Sequence, residues 1–191
     1  MTDETARTQP ETAFARREFL QFGAAAFIFS ALFEPGEALA GRLSTPREVT
    51  LYNLNTGERL KAEYWNKGRY QNDALREVNR LLRDHRTGSV HPIDPKLLDM
   101  LYALRSRVGA RQPFTVISGY RSPVSNEALR EEHSGVARNS LHMEGKAVDI
   151  RLPGYNLRGL QKAALRLKAG GVGFYPRSDF VHIDVGPVRH W

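Results

Sequence analysis

Two short segments toward the C-terminal end alternate apolar and polar residues with a period of two. In Lys146–Leu152, Val148, Ile150 and Leu152 fall on one face, and Ala147, Asp149 and Arg151 on the other. In Phe180–Val185, Val181, Ile183 and Val185 make the apolar face, opposite Phe180, His182 and Asp184. Strand side chains alternate, so both segments read as half-buried β-strands. Val49–Asn53 and Arg59–Trp65 read as a hairpin around Asn55-Thr56-Gly57, and Phe114–Ser118 and Val172–Tyr175 as further strands. Elsewhere the spacing becomes helical: Leu75, Val78, Leu81 and Leu82 behind a cap at Asn72 or Asp73, then Leu97, Leu98, Leu101 and Leu104 within Pro95–Val108. Pro123 opens a short helix through Glu131, and a last helix, Leu157–Leu167, stops at Gly170-Gly171. Arg86–Pro92 reads as a loop and the polar stretch Glu132–Ser140 as a flexible lip. There is no internal repeat or low-complexity segment. The pattern predicts one α+β domain, its helices packed on a small, mainly antiparallel sheet.

Pairing the two alternating strands with their Val/Ile faces in the core sends Asp149 and His182 out on the same opposite face. His142 lies in the loop entering the first of them, within Ser140-Leu-His142-Met-Glu-Gly145-Lys-Ala147-Val-Asp149, and Gly145 permits a sharp entry. Two imidazoles and a carboxylate are a ligand set that suits Zn²⁺. Three protein ligands leave a fourth position for water, as in a catalytic rather than a closed structural zinc site. Asp184 shares the strand face of His182 and is a candidate base or a carboxylate that orients a ligand. Arg121 follows a strand end, where a rigid element can project its guanidinium into a cleft.

The stretch S-x-H-x-x-G-x-A-x-D with a later strand-borne His resembles the zinc DD-peptidases of the bacterial cell wall, the D-Ala-D-Ala dipeptidase and carboxypeptidase group. Val116-Ile-Ser118-Gly119-Tyr120-Arg121-Ser122-Pro123 and Val181-His182-Ile-Asp184-Val-Gly186 fit the same superfamily, and within it the chain most resembles the YcbK-like murein endopeptidases. The resemblance runs from about Leu51 to Trp191. It implies a hedgehog/DD-peptidase-like fold and zinc held by His142, Asp149 and His182. It implies Arg121 in the active site, binding a substrate carboxylate or steadying an oxyanion. The dipeptidase branch uses a Glu three residues before the last ligand as its base; the matching residue here is Asp179, one methylene shorter. Ser140 is expected to bind substrate or to shape the loop before His142. His85, His91 and His133 lie outside the motifs and read as surface residues, while His190 and Trp191 cap the core or line the cleft. The resemblance implies hydrolysis of a peptide bond in peptidoglycan cross-links. The alternatives are a DD-carboxypeptidase or dipeptidase, and a non-catalytic, zinc-containing wall-binding module.

The N-terminus and the charge place that chemistry. Ala15-Arg16-Arg17-Glu18-Phe19-Leu20 matches a twin-arginine export signal apart from Ala15, and the apolar run after it leads to Ala38-Leu39-Ala40, a small-x-small cleavage site. Phe19–Phe33 is shorter than the roughly 20 residues of a spanning helix, so no stable membrane anchor is expected after cleavage. Residues 1–40 read as the signal peptide, 41–47 as a linker and 48–191 as the domain. The expected destination is the periplasm, with the twin-arginine translocation machinery as a partner. The chain has 28 Lys and Arg against 21 Asp and Glu; residues 1–40 hold three and six of these, so 25 and 15 remain beyond Ala40. In an exported protein a net positive charge favours encounter with the carboxylate-rich peptides of peptidoglycan rather than with nucleic acid. Absence of cysteine excludes disulfides, Cys-ligated zinc and a lipid-anchoring cysteine.

Overall fold

The computed structural model describes residues 45–133 and 135–191. The export-signal reading and residues 41–44 of the linker therefore lie outside the described residues. Eight strands form one mixed sheet: β1 (Arg47–Asn53), β2 (Arg59–Asn66), β3 (Arg69–Tyr70), β4 (Phe114–Ser118), β5 (Ala147–Arg151), β6 (Gly171–Tyr175), β7 (Phe180–Asp184) and β8 (Arg189–His190). Their order across the sheet is β3-β2-β1-β4-β5-β7-β6-β8. Pairing is antiparallel except between β1 and β4 and between β6 and β8. The expected antiparallel bias holds, but the sheet is wider than expected. The two-residue strands β3 and β8 are too short to carry a periodic signal, and each exists only because a longer neighbour offers its edge.

Among the described residues there are four helices, α1 (Asn72–Leu81), α2 (Pro95–Val108), α3 (Pro123–Glu132) and α4 (Leu157–Leu165), of which α1, α2 and α4 supply the other half of the core. α1 rests on β2, α2 on β1, and α4 on β6 and β7. Leu97, Leu98, Leu101 and Leu104 of α2 are fully buried with Leu51, Tyr64, Ile150, Leu160 and Val181. Each such side chain withdrawn from water contributes about 1.5–3 kcal/mol. Asp94 caps α2 by accepting from the Lys96 N–H, and Gly109 ends it in the left-handed conformation. Asp99 on α2 then accepts from Arg47, Tyr64 and Tyr70, at 2.7, 3.0 and 2.7 Å, tying three strands to the helix. Arg47, expected in the linker, thus opens β1 and is part of the folded unit.

Two helix ends differ from expectation for a physical reason. α1 has Gln71 at its N-cap position without a side-chain cap, because the Gln71 amide bonds the Asn66 and Arg69 carbonyls instead. α4 stops at Leu165, and the chain reverses at Lys168, which has φ +51°. Gly170 and Gly171 serve the sheet rather than the helix stop: a Cβ on Gly170 would sit 1.8 Å from the Asp184 carbonyl oxygen. No helix among the described residues is long and apolar enough to cross a membrane.

Candidate metal centre and its cleft

The apolar faces of β5 and β7 are buried as the alternation required: Val148, Ile150, Val181 and Ile183 are at most 1% exposed. The opposite face is buried too. β5 and β7 pair with Asp149 directly across from His182, and β5 to β4 with Ser118 across from Asp149. Asp149 Oδ1 lies 2.9 Å from His182 Nδ1 and 3.3 Å from His142 Nε2, and the two nitrogens are 3.2 Å apart.

The outer nitrogens of the imidazoles fix what the inner ones present. His142 Nδ1 donates to the Gly119 carbonyl at 2.7 Å, so its Nε2 carries the lone pair. His182 Nε2 meets Asp184 Oδ2 at 3.0 Å, which leaves Nδ1 facing Asp149. The three groups converge so closely that a proton on His182 Nδ1 can be shared with Asp149 and His142, and once that proton is lost all three present lone pairs to one point, a geometry compatible with a metal ion. Burial pulls the His182 pKa down, but Asp149 and Asp184 outweigh it and push it up to about 9. Burial likewise opposes ionisation of Asp149, yet His142 and His182 hold its carboxyl well below the usual range. A tetrahedral metal with bonds of about 2.0–2.2 Å spaces its ligand atoms roughly 3.3 Å apart. The observed triangle fits such an ion, which would displace the proton that His182 otherwise retains.

Local sequence builds this geometry. Ser140 accepts from the His142 N–H and starts a short 3₁₀ turn, Leu141–Glu144, that lifts His142 into the site. Gly145 ends the turn at φ +65°, where a Cβ would meet the Pro92 carbonyl at 2.1 Å. Gly119 passes so close to Leu82 that a Cβ would lie 2.4 Å from its carbonyl oxygen; this approach lets the Tyr120 N–H bond Leu82 while the Gly119 carbonyl faces His142. Of the two roles expected of Ser140, the structure therefore shows the one that shapes the loop.

Arg121 reaches the centre as expected. Its guanidinium lies 3.8 Å from Asp149 Oδ2, with contacts to Ser118 and Asn126 stretched to 3.4 Å. Its backbone N–H bonds the His142 carbonyl. Neither candidate carboxylate base lines the cleft. Asp179 has φ +54° and turns its carboxylate to Arg151 at 2.9 Å, in a separate groove lined by Tyr52, Arg59 and Thr115. This corrects the motif-based expectation: the tight β6–β7 turn points the shorter side chain out of the cleft. Asp184 is fully buried, and its oxygens are taken by His182, Arg189 and the N–H groups of Gly171 and Gly186. Its role in the fold is to orient His182. Asp149 is the single carboxylate lining the cleft among the described residues.

The cleft above the centre encloses about 640 Å³. Tyr175 stacks on Phe180 at 4.5 Å, and Trp191 lies 5.3 Å from His182 while its indole N–H donates to the Tyr175 hydroxyl at 2.7 Å. These rings form one wall, resolving Trp191 in favour of the cleft; His190 pairs with Val172 in the sheet. The expected lip supplies Gly135, Val136, Ala137 and Asn139 to the opposite rim, and Asn126 pins it by donating to the Ala137 and Arg138 carbonyls. His85 and His133, read as surface residues, line the cleft as well, whereas His91 stacks on Tyr120. No local signal marks His85 or His133, since neither lies on a periodic element.

A mixed sheet packed by α1, α2 and α4 and carrying a buried His-Asp-His cluster compatible with a metal ion defines a DD-peptidase-like fold. The chain belongs to the family described as "Peptidoglycan L,D-endopeptidase MepK", which matches residues 42–191. Peptidoglycan L,D-endopeptidase MepK of Escherichia coli (strain K12) is 46% identical over 178 residues, covering 92% of this chain and 96% of the relative; that of Shigella flexneri matches equally. "Probable peptidoglycan L,D-endopeptidase MepK" of Haemophilus influenzae is 41% identical over 179 residues, covering 92% and 95%.

Proposed function

We propose that this protein is a zinc-dependent peptidoglycan L,D-endopeptidase of the cell envelope, hydrolysing a peptide bond within cross-links. The observation that carries the reading is the convergence of three metal-ready acceptors on the floor of a cleft, in a chain whose relatives over nearly its full length bear that name. His142, Asp149 and His182 would hold the ion. Zinc bound there supplies a Lewis acid that polarises a carbonyl and lowers the pKa of a coordinated water. Gly119 and Asp184 hold the outer imidazole nitrogens, so both rings would turn their inner nitrogens, with lone pairs, toward a bound ion. Arg121 stands beside Asp149 with donors only partly used, suited to an oxyanion or a substrate carboxylate. The aromatic wall and the pinned lip confine an extended peptide between them.

Residues 1–40 are proposed as a twin-arginine signal, which would deliver the domain to the compartment where peptidoglycan lies. Purified sacculi incubated with the zinc-loaded protein should release cleaved cross-links. A chelator should abolish release and added zinc restore it, with the bond identified by mass spectrometry of the fragments. Stoichiometric zinc without any released muropeptide would favour the wall-binding module instead, and loss of a terminal residue alone would favour a carboxypeptidase.

A further inference from the structure

The segment after α1 carries chemistry that the metal centre does not use. Asp84 is 1% exposed, and its carboxylate gathers two parts of the chain. Oδ1 accepts from the N–H groups of Arg86 and Thr87 at 2.9 and 3.4 Å, closing a turn, while Oδ2 accepts from the Ser122 N–H at 2.8 Å. Ser122 follows Arg121 directly. One buried carboxylate thus fixes the backbone on which His85, Arg86 and Arg121 are mounted, and all three side chains line the cleft beside the metal centre.

The corner they form has an electrostatic deficit. The charge of Arg86 acts on both Arg121 and His85. Burial, then Arg86, lower the His85 pKa, so the ring is neutral near pH 7 and offers hydrogen bonds rather than charge. The Arg121 side chain is mostly buried, 3.8 Å from Asp149 Oδ2. Arg189, the other arginine of the cleft, is committed to Asp184, and Asp149 faces the imidazoles. The Arg121 Nε is buried with no hydrogen-bond partner, and its terminal nitrogens make only the stretched contacts described above. A buried guanidinium with an unmet donor, next to a second, exposed arginine, calls for an oxygen anion.

Resting on the endopeptidase reading, we propose that His85, Arg86 and Arg121 form a carboxylate subsite, which receives a free carboxyl group of the stem peptide next to the scissile bond. Arg86 and His85 are then specificity-determining residues, and Asp84 is the positioning residue that presents them. The subsite makes the enzyme selective for stem peptides whose carboxyl groups are unmodified over those converted to amides.

The test compares free-acid and primary-amide forms of the same peptides on zinc-loaded protein. Binding is measured by calorimetry with un-cross-linked stem peptides, which need no turnover, and kcat/KM with soluble cross-linked muropeptides. Amidation on each side of the bond is tried separately, so that the arms identify which carboxyl is read. The wild type should bind the acid form about 10–100-fold more tightly, the span expected of a charge-assisted contact. In Arg86→Ala that ratio should collapse toward one with zinc content unchanged; Arg86→Lys should keep part of it, and His85→Ala should lower it. Damage to folding would weaken both forms alike and leave the ratio intact. A wild-type ratio near one for every amidated form, or a ratio that survives in Arg86→Ala, overturns the proposal. A ratio that depends on Arg86 in a protein that cleaves no cross-link upholds the subsite and overturns the endopeptidase reading.

Discussion

His182 shows how much of the centre depends on residues that do not touch the metal position. Its Nδ1 faces Asp149 only because Asp184 engages Nε2, and Asp184 is itself clamped by Arg189 and two backbone N–H groups. Substituting Asp184 by Ala or Asn should therefore lower zinc affinity by about 10–100-fold, the usual effect of removing a partner of a ligating imidazole. A competition titration against a chromophoric chelator measures this. Asp179→Asn should leave zinc affinity unchanged and reduce turnover by less than about tenfold, because its carboxylate is spent on Arg151 outside the cleft. Loss of a general base costs roughly 10²–10⁴-fold; a fall of that size in Asp179→Asn with zinc retained would return the role to Asp179.

At the scale of elements, the metal site is a junction between β5, β7, the 3₁₀ turn and the link from β4 to α3, and Asp84 is what holds that link. Burial would raise the Asp84 pKa, but the nearby Ser122 hydroxyl and the N–H groups of Ser122 and Arg86 hold it well below the usual carboxylate range. The unfolded chain, with an Asp near 3.9, binds the proton more readily than the native one. The stabilisation is thus complete above about pH 4 and is lost as pH falls below it. Asp84→Asn should be less stable at pH 7, by about 1–3 kcal/mol. Denaturant unfolding from pH 7 to pH 3 should show the gap to wild type narrowing below pH 4; a constant gap would contradict the assignment.

For the whole molecule the question is delivery. Arg16-Arg17 precede Phe19-Leu20 and a weakly apolar run, and the chain offers no cysteine for a lipid anchor. Replacing both arginines by lysine should trap the precursor in the cytoplasm, seen as loss of the processed form in the periplasmic fraction. Normal maturation of that variant would exclude the twin-arginine route while leaving an envelope destination open. The basic balance beyond Ala40 serves the same end, drawing the enzyme toward an anionic polymer at low salt and less so as salt rises.

The parts of this protein legible in its sequence are those set by local periodicity. Alternation in β5 and β7 placed Asp149 and His182 on one face, since a strand has only two faces and the Val/Ile side must be buried. The same reasoning located α2 through its leucines and the entry of His142 through Gly145. What only the tertiary structure decided concerns groups whose direction depends on distant chain. Asp179 leaves the cleft because of a positive-φ turn and an arginine 28 residues earlier. Gly170 and Gly171 serve strand contact rather than a helix stop because Asp184 passes beside them. His85 and Arg86 enter the cleft because Asp84 binds a backbone N–H 38 residues away. Such contacts follow from packing between elements, and residue spacing along one segment carries no trace of them.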